Sequence, residues 1–247
     1  MYIIDFGTSM TENEAALYEK PFEYVKRMVK PVRILNRREA RAQRWWIHGE
    51  TNPFMRSRLA GLVRYIATPR VSKFRVFAWQ DGRALPDSAI IVFVREDDYF
   101  FGVLHSSIHE LWARAQGTQL REVESGFRYT PNSTFDAFPF PYPPTSEPTE
   151  ADSPIVRAIA EAARELVRLR DNWLNPPNAS EADLKDRTLT KLYNARAEGK
   201  MEWLANAHRT LDLAVFAAYG WPPDLTDQEI LSRLLTLNHE RAASQAS

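Results

Sequence analysis

Six of the sixteen residues from Pro139 to Pro154 are proline, with Ser, Thr and acidic residues between them. Proline locks φ at about −65° and has no amide hydrogen, so neither a helix interior nor a central strand can run through such a stretch. It divides the chain by texture. Short alternating apolar runs lie before it, and every segment after it reads helical. The stretch is expected to be a linker over residues 143–153, between an α+β domain at 1–142 and a helical domain at 154–247.

Upstream, "YIIDF" at 2–6 alternates like a short strand, and Thr11 with Glu14 forms a capping box that opens a helix. The helical pattern resumes after Pro21, and the basic text from Ile34 to Trp46 is helix-compatible. Val63–Thr68, Phe74–Trp79 and Ser88–Val94 read as strands, with a hairpin-type turn signal at Asp81-Gly82. "DYFFGVL" (Asp98–Leu104) reads as a further strand, running into a helix from about Ser106 to Ala115. The spacings leave no room for helical crossovers, so the sheet is expected to be antiparallel or mixed. Downstream, Ser153 caps a helix with Pro154 at its first position and an apolar face at Ile155, Ile159, Leu166 and Leu169. Ser180 with Asp183 opens a second helix, Met201–Tyr219 forms a third that Gly220 and Pro222 stop, and Thr226 with Glu229 caps a fourth. The fold class predicted is α+β: a mixed or antiparallel sheet domain with flanking helices, then a small C-terminal helical bundle.

The formal net charge of zero hides a strong asymmetry. From Lys26 to Arg75 there are 14 Lys/Arg and only two acids, Glu39 and Glu50. Such a window is the electrostatic footprint of a polyanion-binding face, and Arg37, Arg38, Arg41 and Arg44 are its candidate contacts to a phosphate backbone. The chain has no cysteine, which excludes disulfides, thiolate metal sites and a cysteine nucleophile and points to a reducing cytoplasm. No apolar run approaches the roughly 20 residues of a membrane span, and no leader signal follows Met1, so no membrane partner is expected.

Signatures of catalysis are missing. There is no GxGxxG, P-loop or GxSxG pattern. His105 and His109 stand four apart in "HSSIHE", but Glu110 follows the second histidine, whereas a zinc hydrolase keeps its glutamate base inside the pair. No catalytic residue and no metal ligand is assigned, although a small metal-dependent hydrolase around these histidines is one alternative. "NPPN" (Asn175–Asn178) superficially matches the Asn-Pro-Pro-aromatic tetrapeptide of amino-methylating DNA methyltransferases. Its fourth residue is Asn and it follows a helix, so it reads as a helix stop and loop.

Two polar segments suit nucleic-acid contact instead. "TPRVSKFRVFAW" supplies Arg70, Ser72, Lys73 and Arg75, and "RYTPNST" supplies Arg128, Tyr129, Thr130, Asn132, Ser133 and Thr134. Arginine can bond bidentately to guanine and asparagine to adenine, while Lys and hydroxyls commonly take phosphates. Phe135, Phe138 and Phe140 are expected to anchor the second segment from below.

The ordered blocks "YIIDFG", "PFEYVKRMVKPVR", "IATPRVSKFRVFAW", "DDYFFGVLHSSIHELW", "RYTPNSTFDAFPFP" and "LDLAVFAAYGWPPDLTDQEILSRLLTLNHER" resemble the C-terminal part of Type IIL-like adenine-N6 DNA methyltransferases of restriction–modification systems. The resemblance covers nearly the whole chain, from Tyr2 to about Arg241. It implies a target recognition domain followed by a C-terminal helical segment, with double-stranded DNA and a methyltransferase catalytic domain as partners. S-adenosylmethionine would belong to that catalytic half, whose motifs are not present, so no cofactor is expected on this chain and no methylation by it alone. An uncovered apolar face left by the missing half is expected at "YIIDF" and Trp45-Trp46. The rival reading is a stand-alone interaction or regulatory protein whose helical tail docks a partner.

Overall fold

The computed structural model describes residues 3–119 and 126–246, and it divides into two compact units, Met1–Ala60 and Gly61–Ser247. The first unit has short helices α1 (Glu12–Ala16), α2 (Glu19–Met28), α3 (Lys30–Arg33), α4 (Glu39–Gln43) and α5 (Pro53–Leu59), and a small core in which Ala15 of α1 and Phe22 and Val25 of α2 meet Phe6 and Trp45. The Thr11–Glu14 capping box forms as the sequence predicts, with the Thr11 amide donating to the Glu14 carboxylate at 2.7 Å. "YIIDF" is not a strand. Tyr2 lies outside the described residues, and Ile3–Phe6 runs without a strand partner, pinned where Asp5 accepts both guanidinium arms of Arg56 at 2.7 and 3.1 Å. That pairing holds the Asp5 carboxyl below its ordinary range. Trp45 is only 3% exposed and Trp46 donates its indole N–H to Met10, so neither forms the uncovered apolar face expected of them.

Among the described residues the second unit holds two three-stranded antiparallel sheets. In the first, β1 (Arg64–Pro69) lies between β3 (Ala78–Asp81) and β4 (Ile90–Phe93), with Ile66 opposite both Trp79 and Phe93. Asp81-Gly82 therefore ends a strand that pairs backwards with β1 and does not join a hairpin to β4. In the second sheet, β6 (Phe127–Arg128) lies between β2 (Val71–Ser72) and β5 (Thr118–Gln119). Arg70 is the joint where the chain leaves one sheet for the other: its amide donates to Ala89 and its carbonyl accepts from Tyr129.

"DYFFGVL" is helical, as α6 (Asp98–His105), and all eight of its residues are buried. A helix buried on every side is apolar on every side, which erases the periodicity separating it from a buried strand. The decisive local feature is Asp97, whose carboxylate caps the Phe100 amide at 2.8 Å. Gly102 permits close approach of α8 (Pro154–Leu174), since a Cβ there would stand 2.7 Å from Ile159 Cγ2. α7 (Ser107–Gln116) follows after a break at Ser106.

Beyond the proline-rich stretch come α8, α9 (Glu181–Asp186), α10 (Leu189–Ala197), α11 (Glu202–Tyr219) and α12 (Asp227–Ala246). The Ser153, Ser180 and Thr226 caps and the left-handed stop at Gly220 all form. The buried face of α8 is Val156, Ile159, Ala163, Leu166 and Arg170, while Ile155 is turned outward. The fold is α+β with antiparallel sheets and C-terminal helices. The proline-rich residues run along this unit: Tyr219 Oη donates to Pro139 O at 2.9 Å, and Arg241 and Asn238 donate to the carbonyls of Phe140 and Ala137. The division into compact units accordingly falls at Ala60–Gly61, with residues 143–153 inside the second unit.

Candidate nucleic-acid interface

Pairing of β6 with β2 and β5 brings the two polar segments together. Val71 and Thr118 both stand opposite Arg128, so the three share one face, and all are exposed. Arg128 carries the only cation of that trio. Lys73, exposed just past β2, reaches Asn194 Oδ1 at 3.0 Å, and Arg70 donates to Ser88 O at 3.2 Å while remaining half-exposed. Ser72 is half-buried beside them.

After Tyr129, residues Pro131–Phe135 wind into a single π-helical turn. Thr130 and Ser133 hydroxyls lie 2.5 Å apart, and Ser133 also donates to Gln116 O at 3.3 Å. Asn132 is exposed at the apex, with no hydrogen bond to its side chain among the described residues. From below, Phe138 and Phe140 are buried and Phe135 packs on Phe93 at 5.0 Å between ring centres. The loop is thus held by aromatics on its inner side, as its sequence predicts, with Thr130, Asn132 and Ser133 reaching its surface.

Three expected contact residues are instead internal. Arg75 is 4% exposed, and its guanidinium donates to Thr68 Oγ1 at 3.1 Å, to Phe127 O at 3.2 Å and to the Pro69 carbonyl. It lies over the rings of Phe127 and Tyr129. Burial lowers its pKa to about 10, which leaves it charged at neutral pH. Tyr129 is fully buried and Thr134 spends its hydroxyl on Thr130 O. None of the three can touch a duplex in this arrangement, because each already satisfies buried backbone or ring partners. Arg75 ties the β1–β2 joint to β6, and so positions the exposed residues.

Of the phosphate-backbone candidates, all in the first unit, Arg38 and Arg41 converge on Glu50 and Arg44 donates to Thr8 O. Arg37 is exposed with no ion pair among the described residues. Thr118 was not foreseen as a surface neighbour of Arg128, and no local signal could have revealed it, since strand register is a long-range property.

His105 and His109 do not share a helix face, because the break at Ser106 separates α6 from α7. Their nitrogens are engaged. The Phe77 amide donates to His105 Nδ1 at 3.1 Å, so Nε2 carries the hydrogen and donates to Tyr193 Oη at 2.9 Å. Tyr193 passes its own hydrogen to His208 Nε2 at 2.9 Å. His109 donates from Nδ1 to Leu104 O at 2.7 Å and accepts from Tyr129 Oη at 3.1 Å. Buried Arg170 donates to Phe77 O at 3.0 Å. Burial, reinforced by Arg170, pushes the His105 imidazole well below its ordinary range, and burial lowers His109 to about 3. Both rings are neutral structural links. Among the described residues no group of three or more His, Cys, Asp or Glu could hold a metal ion, and no helix is long and apolar enough to cross a membrane.

No protein-family model and no curated protein matches this sequence. Among solved structures the chain is similar to the Type IIL restriction-modification enzyme MmeI, determined in complex with DNA, with a TM-score of 0.59 and 21% sequence identity. The match covers 90% of this chain and 26% of that one, so the chain spans about a quarter of the enzyme's length. At this identity the likeness is one of fold.

Proposed function

We propose that the chain is the sequence-specific DNA-recognition module of an adenine-N6 methyltransferase of the restriction–modification type, acting in the cytoplasm. One observation carries the reading. The β2–β6 pairing stands exposed Arg128 next to the 130–133 loop and brings the strand segment that carries Arg70, Ser72 and Lys73 alongside it, so that two polar segments distant in sequence become neighbours. The fold likeness to a DNA-bound restriction–modification enzyme supports it. In this reading Arg128 and Asn132 read base edges, since both are exposed and both suit bidentate contact. Lys73, Arg70, Ser72, Thr130 and Ser133 take phosphates and set the register, with Arg37 a further backbone contact. S-adenosylmethionine and the methyl transfer belong to a catalytic domain that carries the motifs this chain does not.

Selection from a random duplex pool with the full chain tests the proposal: a defined consensus is expected, and recovery of unenriched sequence overturns it. Arg128→Ala should cost on the order of 1–3 kcal/mol in binding and relax the consensus at one position. Lys73→Ala should weaken all sequences alike and flatten the slope of log K against log salt by about 0.9.

A further inference from the structure

The basic helical segment α2–α3 of the first unit carries apolar residues beyond those that its core covers. On α2 and α3, Phe22 and Val25 face the small core. About a quarter-turn away, Tyr24, Met28 and Val32 are 51, 54 and 72% exposed, and Leu35, just past the end of α3, is 81% exposed. The steps of four from Tyr24 to Met28 to Val32 are the helical repeat, and hydrogen bonds from Val29, Arg33 and Ile34 back to Val25, Val29 and Lys30 carry the helix across the α2–α3 junction to its C-cap at Ile34, with Leu35 the next residue. Three large apolar side chains in one helical stripe, with a fourth just past its end, differ from the scattered exposed leucine of an ordinary surface.

Charge says what kind of surface covers the stripe. Between Leu17 and Arg38 there are seven Lys/Arg and two Glu. Lys20 and Arg27, seven residues apart, border the stripe on the side away from the core, both exposed and neither with an ion-pair partner among the described residues. A second copy of this face would set cations against cations. A phosphate backbone would satisfy the cations and leave the apolar stripe in water. A helix with apolar residues at heptad spacing and carboxylates on its flank satisfies both. We propose that the Tyr24–Leu35 face is a docking surface for an acidic amphipathic helix of another polypeptide segment.

Fluorescence anisotropy of the full chain with a labelled synthetic helix, about four heptads long with Leu at the core positions and Glu at the flanking ones, tests this. Saturable one-to-one binding is expected, weakened as salt rises. Met28→Glu with Leu35→Glu should reduce affinity at least about tenfold while the thermal midpoint holds, because both side chains are exposed. Lys20→Glu with Arg27→Glu should weaken the Glu-flanked helix about fivefold and strengthen a Lys-flanked one. Absence of binding overturns the proposal, as does equal binding of the Lys-flanked helix. Co-sedimentation with anionic phosphatidylglycerol vesicles that the Met28/Leu35 variant abolishes, without helix binding, assigns the face to a lipid surface and overturns it. A dimer in sedimentation velocity that the same variant dissolves overturns it in favour of a second copy. All arms are free of DNA, so failure here leaves the recognition reading standing.

Discussion

Arg75 and Arg128 meet at strand β6 in opposite media. Arg75 comes from the inner side, where its guanidinium donates to three backbone or hydroxyl oxygens and lies against two rings. Arg128 stands on the outer side among Val71 and Thr118, exposed. The residue type is the same and so is the charge. A buried guanidinium must spend its donors on the protein, because leaving them unpaired in a low dielectric is costly, whereas an exposed one keeps them for a ligand. A basic run therefore contains two populations, and only the outer one is free to bind.

Breaking the inner member should have the largest effect. Arg75→Ala strips the Pro69 and Phe127 carbonyls and the Thr68 hydroxyl of a donor and opens a cavity, and is expected to cost about 3–5 kcal/mol of stability in urea denaturation. An unchanged midpoint would place Arg75 with Arg128. Acid should act on the same inner side. His105, His109 and His208 all have folded pKa values below their unfolded ones, so their contribution is present above about pH 6.5 and declines as pH falls from there towards the folded values, about 3 for His109. Asp212, whose carboxyl accepts from the Ser107 amide and is pushed up to about 6 by burial, works the other way and gains as pH falls through 6. The net loss between pH 7.5 and 5.5 should be about 3 kcal/mol, read from urea midpoints at the two pH values. Flat stability over that range would mean these rings titrate normally. Tyr129→Phe leaves His109 Nε2 without its donor and should cost about 1–2 kcal/mol with no change in DNA site choice. The outer member sets the lower end: Arg128→Ala should shift stability by less than about 0.5 kcal/mol while changing the DNA consensus, which sharpens the division if both hold.

Much of the helical framework was legible because its signals are local. Thr11 with Glu14, Ser153 before Pro154, Ser180 with Asp183 and Gly220 each stop or start a helix through bonds spanning a few residues. The π-turn anchors Phe138 and Phe140 were legible too, since proline-interleaved aromatics have few other uses. α6 was not, because total burial removes the polar face that marks a helix. Nor was the inward turn of Arg75, Tyr129 and Thr134, because their polar side chains carry no local mark of which face of the chain is covered. "YIIDF" alternates like a strand, but a strand needs a partner edge and none pairs with it among the described residues.

What the sequence determined by itself is what depends on neighbours a turn away: the capped helix ends, the excess of cations in the first third and the absence of catalytic motifs. Only the tertiary structure decided which cations face water, which strand lies beside Arg128, and that Trp45 is covered while Met28 and Leu35 are not. The physical reason is range. Capping and φ restriction act over three or four residues, whereas burial and strand register are set by contacts between segments far apart in the chain.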